Sequence, residues 1–123
     1  MAERLVHLVD DDATVRAMLA RLLQSGGYSV KEYRSGADLL AATRSLTDGC
    51  ILLDIHMPGQ DGFNIQRMLR DQSIGLPVIL MTGSGDLTLL ALKAGAADFM
   101  QKPFGRSELL TVLDQLSAAA AHG

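Results

Sequence analysis

A single cysteine, Cys50, cannot close an internal disulfide, which excludes a stapled secreted scaffold and makes a reducing, cytoplasmic setting the expectation. Tryptophan is absent and aromatic residues make up only 4% of the 123 residues, so the core has to be assembled from Leu, Val, Ile, Ala and Met. No stretch of about 20 apolar residues and no signal-peptide pattern occurs, which argues against a membrane partner. A basic excess is missing too. Lys and Arg number 11 against 14 Asp and Glu, for a net charge of −3 with no basic run at either end, so direct contact with nucleic acid has little electrostatic support. Lysine itself is scarce. Lys31 and Lys93 fall on segments that read as solvated surface, whereas Lys102 follows an apolar run and precedes proline. What the chain does have is 48% apolar residues and a length that suits one domain over residues 1–123.

Five short apolar runs, Leu5 to Val9, Tyr28 to Tyr33, Cys50 to Leu53, Val78 to Met81 and Ala97 to Met100, alternate with segments of helical period. The first such segment carries Val15, Met18, Leu19, Leu22 and Leu23 at the i, i+3, i+4, i+7, i+8 spacing that gathers them on one helix face. Asp12 is expected to cap its start and Gly26 with Gly27 to end it. Leu109, Leu110, Val112, Leu113 and Leu116 mark a similar final helix. The third and fourth runs lack alternation, as parallel strands covered on both faces do, while Tyr28 to Tyr33 alternates like an edge strand. The fold class that follows is α/β, with a five-stranded, doubly wound parallel sheet.

Ligands of open α/β sheets bind outside the carboxyl ends of the strands, so the residues after each run are the informative ones. Asp10, Asp11 and Asp12 follow the first, Asp54 the third, Thr82 and Gly83 the fourth, and Lys102 with Pro103 the fifth. If the strand order is 2-1-3-4-5, strands one and three flank the switch point and their acids share a pocket. Two like charges about 4 Å apart repel by roughly 4 kcal/mol at an effective dielectric near 20, so the cluster calls for a cation. The available donors are hard oxygens, with no His or Cys set at zinc spacing, which selects Mg²⁺, with Mn²⁺ as the alternative. The Lys102 ammonium and the Thr82 hydroxyl at the same rim complete a site for a phosphoryl group, with one carboxylate left over as nucleophile.

Taken together, Val9-Asp10-Asp11-Asp12, the segment Leu52 to Gly62, Met81-Thr82-Gly83, Ala94 to Phe99 and Gln101-Lys102-Pro103-Phe104 resemble the receiver domain of two-component response regulators across essentially the whole chain. The resemblance implies a flavodoxin-like (βα)5 fold. It makes Asp54 the phosphoacceptor of a sensor histidine kinase or a histidine phosphotransfer protein. The metal ligands it implies are Asp10, Asp11, Asp54 and the backbone carbonyl of His56, with Mg²⁺ as the ion. Thr82 becomes the switch hydroxyl, Lys102 the phosphate-sensing lysine and Phe99 the switch aromatic. Pro58 and Gly62 fit the tight turn behind the acceptor, and Lys102–Pro103 is expected to be cis. Such a chain is a phosphorelay acceptor rather than an enzyme with a separate substrate, its own catalysis limited to phosphotransfer and slow autodephosphorylation. Its output is a protein surface offered to a downstream target, and a phosphorylation-dependent homodimer is compatible with it.

Two departures stand out. Lys102 lies 20 residues after Thr82, a shorter interval than relatives usually have, and the shortfall falls between Asp86 and Gly95, where it shortens the fourth helix. The His56 side chain occupies a position where the family varies widely. Rival classes fit less well: a nucleotide binder would cradle phosphate on backbone amides where this chain places three acids, and an aspartate-nucleophile phosphatase would want an acid where His56 stands. The main alternative is a degenerate receiver serving as an interaction scaffold.

Overall fold

The computed structural model describes residues 4–57, 60–82 and 98–122. Its main sheet contains β1 (Leu5–Val9), β2 (Ser29–Tyr33), β3 (Cys50–Asp54), β6 (Val78–Thr82) and β7 (Asp98–Gln101), all parallel neighbours in the order β2-β1-β3-β6-β7. Numbered within that sheet alone, this is the expected 2-1-3-4-5. A two-stranded antiparallel ladder, β4 (His56–Met57) with β5 (Gln60–Asp61), pairs His56 with Asp61 directly after β3. The described helices are α1 (Ala13–Ser25), α2 (Gly36–Ala41), α3 (Gly62–Asp71) and α4 (Arg106–His122), with a 3-10 turn at Thr43–Ser45. The helix expected between Asp86 and Gly95 lies outside the described residues.

Strand alternation divides the core into two layers, as the pleat requires. Val6, Leu8, Leu52, Ile79, Met81 and Met100 pack against Leu19 and Leu23 of α1 and Leu109 and Leu113 of α4. On the other face Val9, Ile51, Leu53 and Leu80 meet Leu39 of α2 and Ile65 and Leu69 of α3. Every residue of β3 and β6 is buried, which is why neither run shows a polar alternation in the sequence.

The local signals work as expected at the ends of α1. Asp12 accepts hydrogen bonds from the Thr14 and Val15 amides at 2.9 and 3.1 Å, and Gly26 closes the helix ahead of Gly27, whose φ is +90°. Tyr28 does not begin the second strand: its amide bonds the Leu23 carbonyl at 3.1 Å, completing the helix end, and pairing starts at Ser29. Met18 departs from the expected apolar face and is 51% exposed. The buried arc is centred on Leu19, Ala20 and Leu23, and at about 100° per residue Met18 lies about 140° from Leu23. Gly49, with φ +91°, is required where the chain enters β3, because a Cβ there would sit 2.3 Å from the Leu5 carbonyl oxygen. No helix among the described residues is long and apolar enough to cross a membrane.

Candidate phosphoryl and metal site

Because Asp10 and Asp54 continue the alternation that buries Leu8 and Leu52, both carboxylates arrive on the same side of adjacent central strands. Asp10 is fully buried and Asp54 nearly so, while Asp11, two residues past the end of β1, is exposed. One carboxylate oxygen from each of Asp10, Asp11 and Asp54 lies within 4.8 Å of the others. All three donors are hard anionic oxygens on separate, converging backbone positions, a set that fits a divalent cation which retains part of its water shell.

Lys102 is the cation that the structure itself brings to these acids. Its Nζ donates to Asp10 Oδ2 at 3.0 Å and to Asp54 Oδ2 at 3.1 Å. Burial alone would pull the ammonium pKa down, but the hydrogen bonds and charges of Asp10 and Asp54 outweigh it and hold Lys102 above its ordinary value. The Lys102–Pro103 peptide is cis, as expected. The Lys102 amide donates to the Thr82 carbonyl at 2.6 Å, tying the exits of β6 and β7 together.

Thr82 is buried at the end of β6, opposite Gln101 in the ladder. Phe99 pairs with Leu80 and is partly buried against the core layer that faces α2 and α3, three residues before Lys102. His56 lies in β4, two residues past Asp54. Asp12, the third acid of the run, is occupied as the α1 cap. The structure thus gathers Asp10, Asp11, Asp54 and Lys102 at one point, with Thr82 bonded through its backbone to the last of them.

Over residues 6–114 the chain matches the family described as the response regulator receiver domain. The chain belongs to that family. Among similar proteins, the transcriptional regulatory protein FixJ of Azorhizobium caulinodans is 42% identical over 110 residues, covering 88% of this receiver and 52% of the relative. The crystal structure of FixJ-N superposes with a TM-score of 0.88 at 35% identity, covering 96% of each chain. The chemotaxis protein CheY4 of Vibrio cholerae gives 0.84 at 30% identity, covering 93% of the receiver and 98% of that chain. The receiver spans about half the length of the curated relatives it matches first.

One residue of the site escapes a reading by strand ends. Arg16, on the first turns of α1, donates from Nη1 to the Asp10 carbonyl at 2.7 Å and from Nε to Glu32 Oε1 of β2 at 3.3 Å. A signal for it does exist: helical side chains lean toward the helix N-terminus, so a long side chain near the start of α1 reaches back over the end of β1.

Proposed function

We propose that this receiver is a phosphorylation-controlled switch in which Asp54 accepts a phosphoryl group from the phosphohistidine of a sensor kinase or phosphotransfer protein. The observation that supports it best is Lys102 spanning Asp10 and Asp54 beside the exposed Asp11. An Asp54 oxygen forms the new bond to phosphorus as the phosphorus–nitrogen bond to the donor imidazole breaks, giving an acyl phosphate on this chain and a neutral histidine on the donor. Asp10, Asp11 and Asp54, with the His56 carbonyl as the resemblance implies, would hold Mg²⁺ or Mn²⁺, which supplies positive charge against the phosphoryl oxygens. Lys102 offers a second positive charge to the same oxygens, and its ties to Asp10 and Asp54 keep the ammonium protonated for that purpose. Buried Asp10 acts on the ion mainly by charge, and exposed Asp11 by direct ligation.

The added phosphate brings about −1.5 to −2 charge. Thr82 and Phe99, on the strands nearest Lys102, are the residues through which that charge would shift a two-state surface presented to a downstream protein. The setting proposed is cytoplasmic. The FixJ relatives are named as transcriptional regulatory proteins, and for this receiver, with its net charge of −3, the corresponding proposal is control through protein contact.

Incubation with acetyl phosphate and Mg²⁺ followed by intact mass spectrometry tests the reading. Wild type should gain one phosphoryl group and Asp54→Asn none. Equal labelling of the two would refute Asp54 as the acceptor, and no labelling of either would favour the scaffold role.

A further inference from the structure

We propose that Arg16 is a positioning residue for the divalent-cation site: its guanidinium fixes the peptide plane between Asp10 and Asp11 and so aims the Asp11 carboxylate. The proposal rests on the metal-binding reading of the acidic cluster.

Every polar group of Asp10 has a named partner. Its amide donates to the Tyr33 carbonyl at 3.1 Å, Oδ1 accepts from the Asp12 amide at 3.0 Å, and Oδ2 accepts from Lys102. The fourth group, the Asp10 carbonyl, accepts from Arg16. That carbonyl belongs to the peptide that begins Asp11, and rotating the plane swings the direction in which the Asp11 side chain leaves the backbone. Asp10 is thereby pinned at each end, whereas Asp11 is exposed and inherits its direction from the peptide that Arg16 holds.

Electrostatics pulls both ways here: Glu32 attracts the guanidinium, and two other influences oppose a cation. The N-terminal end of a helix carries positive partial charge and disfavours Arg. A guanidinium next to a divalent-cation site also repels the ion it would neighbour. Two different nitrogens of the planar Arg16 fork meet two acceptors, the Asp10 carbonyl just past β1 and the Glu32 carboxylate on β2. Lysine, a point charge on a flexible stem, cannot reproduce that bridge. The bridge therefore depends on the shape of arginine as well as on its charge, which Glu32 pairs.

The two roles have opposite signs, which makes the proposal testable on the unphosphorylated protein. Mn²⁺ binding is read from the electron paramagnetic resonance signal of the free ion, with the melting temperature of the metal-free protein recorded for each variant. Arg16→Lys keeps the charge and should weaken Mn²⁺ binding about tenfold, the scale on which residues that orient metal ligands act. Arg16→Met removes a repelling cation yet should also weaken it. Glu32→Gln, a change on an exposed edge strand, should weaken binding in the wild-type background and add nothing to Arg16→Lys. Unchanged affinity in Arg16→Lys, or tighter binding in Arg16→Met, overturns the proposal. If the Arg16 variants do not fold, unchanged affinity in Glu32→Gln overturns it alone. Failure of wild type to bind Mn²⁺ would instead sink the metal reading and this proposal with it, whatever the outcome of the phosphorylation assay.

Discussion

Lys102→Met removes the ammonium while keeping most of the stem, leaving buried Asp10 and Asp54 facing each other. With carboxylate oxygens within 4.8 Å, two unit charges repel by about 3.5 kcal/mol or more at an effective dielectric near 20. The Lys102 side chain is 28% exposed, so water screens part of this, and a loss of about 3 kcal/mol near pH 7 is expected. Mg²⁺ can stand in for the lysine: at ten times its dissociation constant a ligand adds about 1.4 kcal/mol of stability, and binding should be tighter in the variant because a competing cation is gone. Thermal melts near pH 7, with and without Mg²⁺, check this at roughly 3–6 °C per kcal/mol for a domain of this size. A deficit indifferent to Mg²⁺ would show that Lys102 contributes packing and not charge, and would refute the reasoning.

Three further expectations concern the fold around the site. His7 is buried in β1, its Nε2 donating to the Asp48 carbonyl at 3.1 Å and its Nδ1 accepting from the Tyr33 hydroxyl at 3.0 Å, and burial lowers its pKa. The unfolded chain then binds the proton more readily, so His7 contributes stability fully above pH 6.5 and loses it as pH falls toward the depressed folded value, with a slope of at most about 1.4 kcal/mol per pH unit; His7→Leu should abolish that slope, and chemical denaturation that finds it unchanged would count against the assignment. Gly49→Ala, at φ +91° and against the Leu5 carbonyl, should cost about 2 to 3 kcal/mol in the same denaturation experiment. Burial pushes the Cys50 thiol up to about 11, so iodoacetamide at pH 8 should label it only at the rate of unfolding.

Much of this molecule can be read from local pattern. The strand positions, the alternation that turns Asp10 and Asp54 to the same side, the Asp12 cap and the placement of Lys102 at a strand end all follow from periodicity and strand ends, which act over a few residues, whereas the strand order rests on the family resemblance. Met18 shows the limit of that logic: a spacing rule defines an apolar stripe but not which part of it the sheet covers. The β4–β5 ladder has only two residues per strand and no alternating run to announce it. Contacts set by tertiary approach are the least legible. His7 reaches partners 26 and 41 residues away, and the Arg16 bridge to Glu32 exists only because β2 lies beside β1.

Stability alone does not account for the site. Replacing a buried cluster of charges by apolar residues of similar volume is often neutral or stabilising by about 1–4 kcal/mol, and Asp10 and Asp54 are both buried. Two buried carboxylates and one shared lysine are therefore weak evidence of a stabilising role. The exits of β1 and β3 instead hold a balance that one added charge upsets, since Lys102 divides its hydrogen bonds between two acids at nearly equal distances of 3.0 and 3.1 Å. A charge change at Asp54 alters only one of those two contacts. The lysine then has an unequal pull on its ammonium, and its amide is bonded to the Thr82 carbonyl on the neighbouring strand. Stability does not call for that sensitivity, whereas the phosphorylation proposed for Asp54 would act through it.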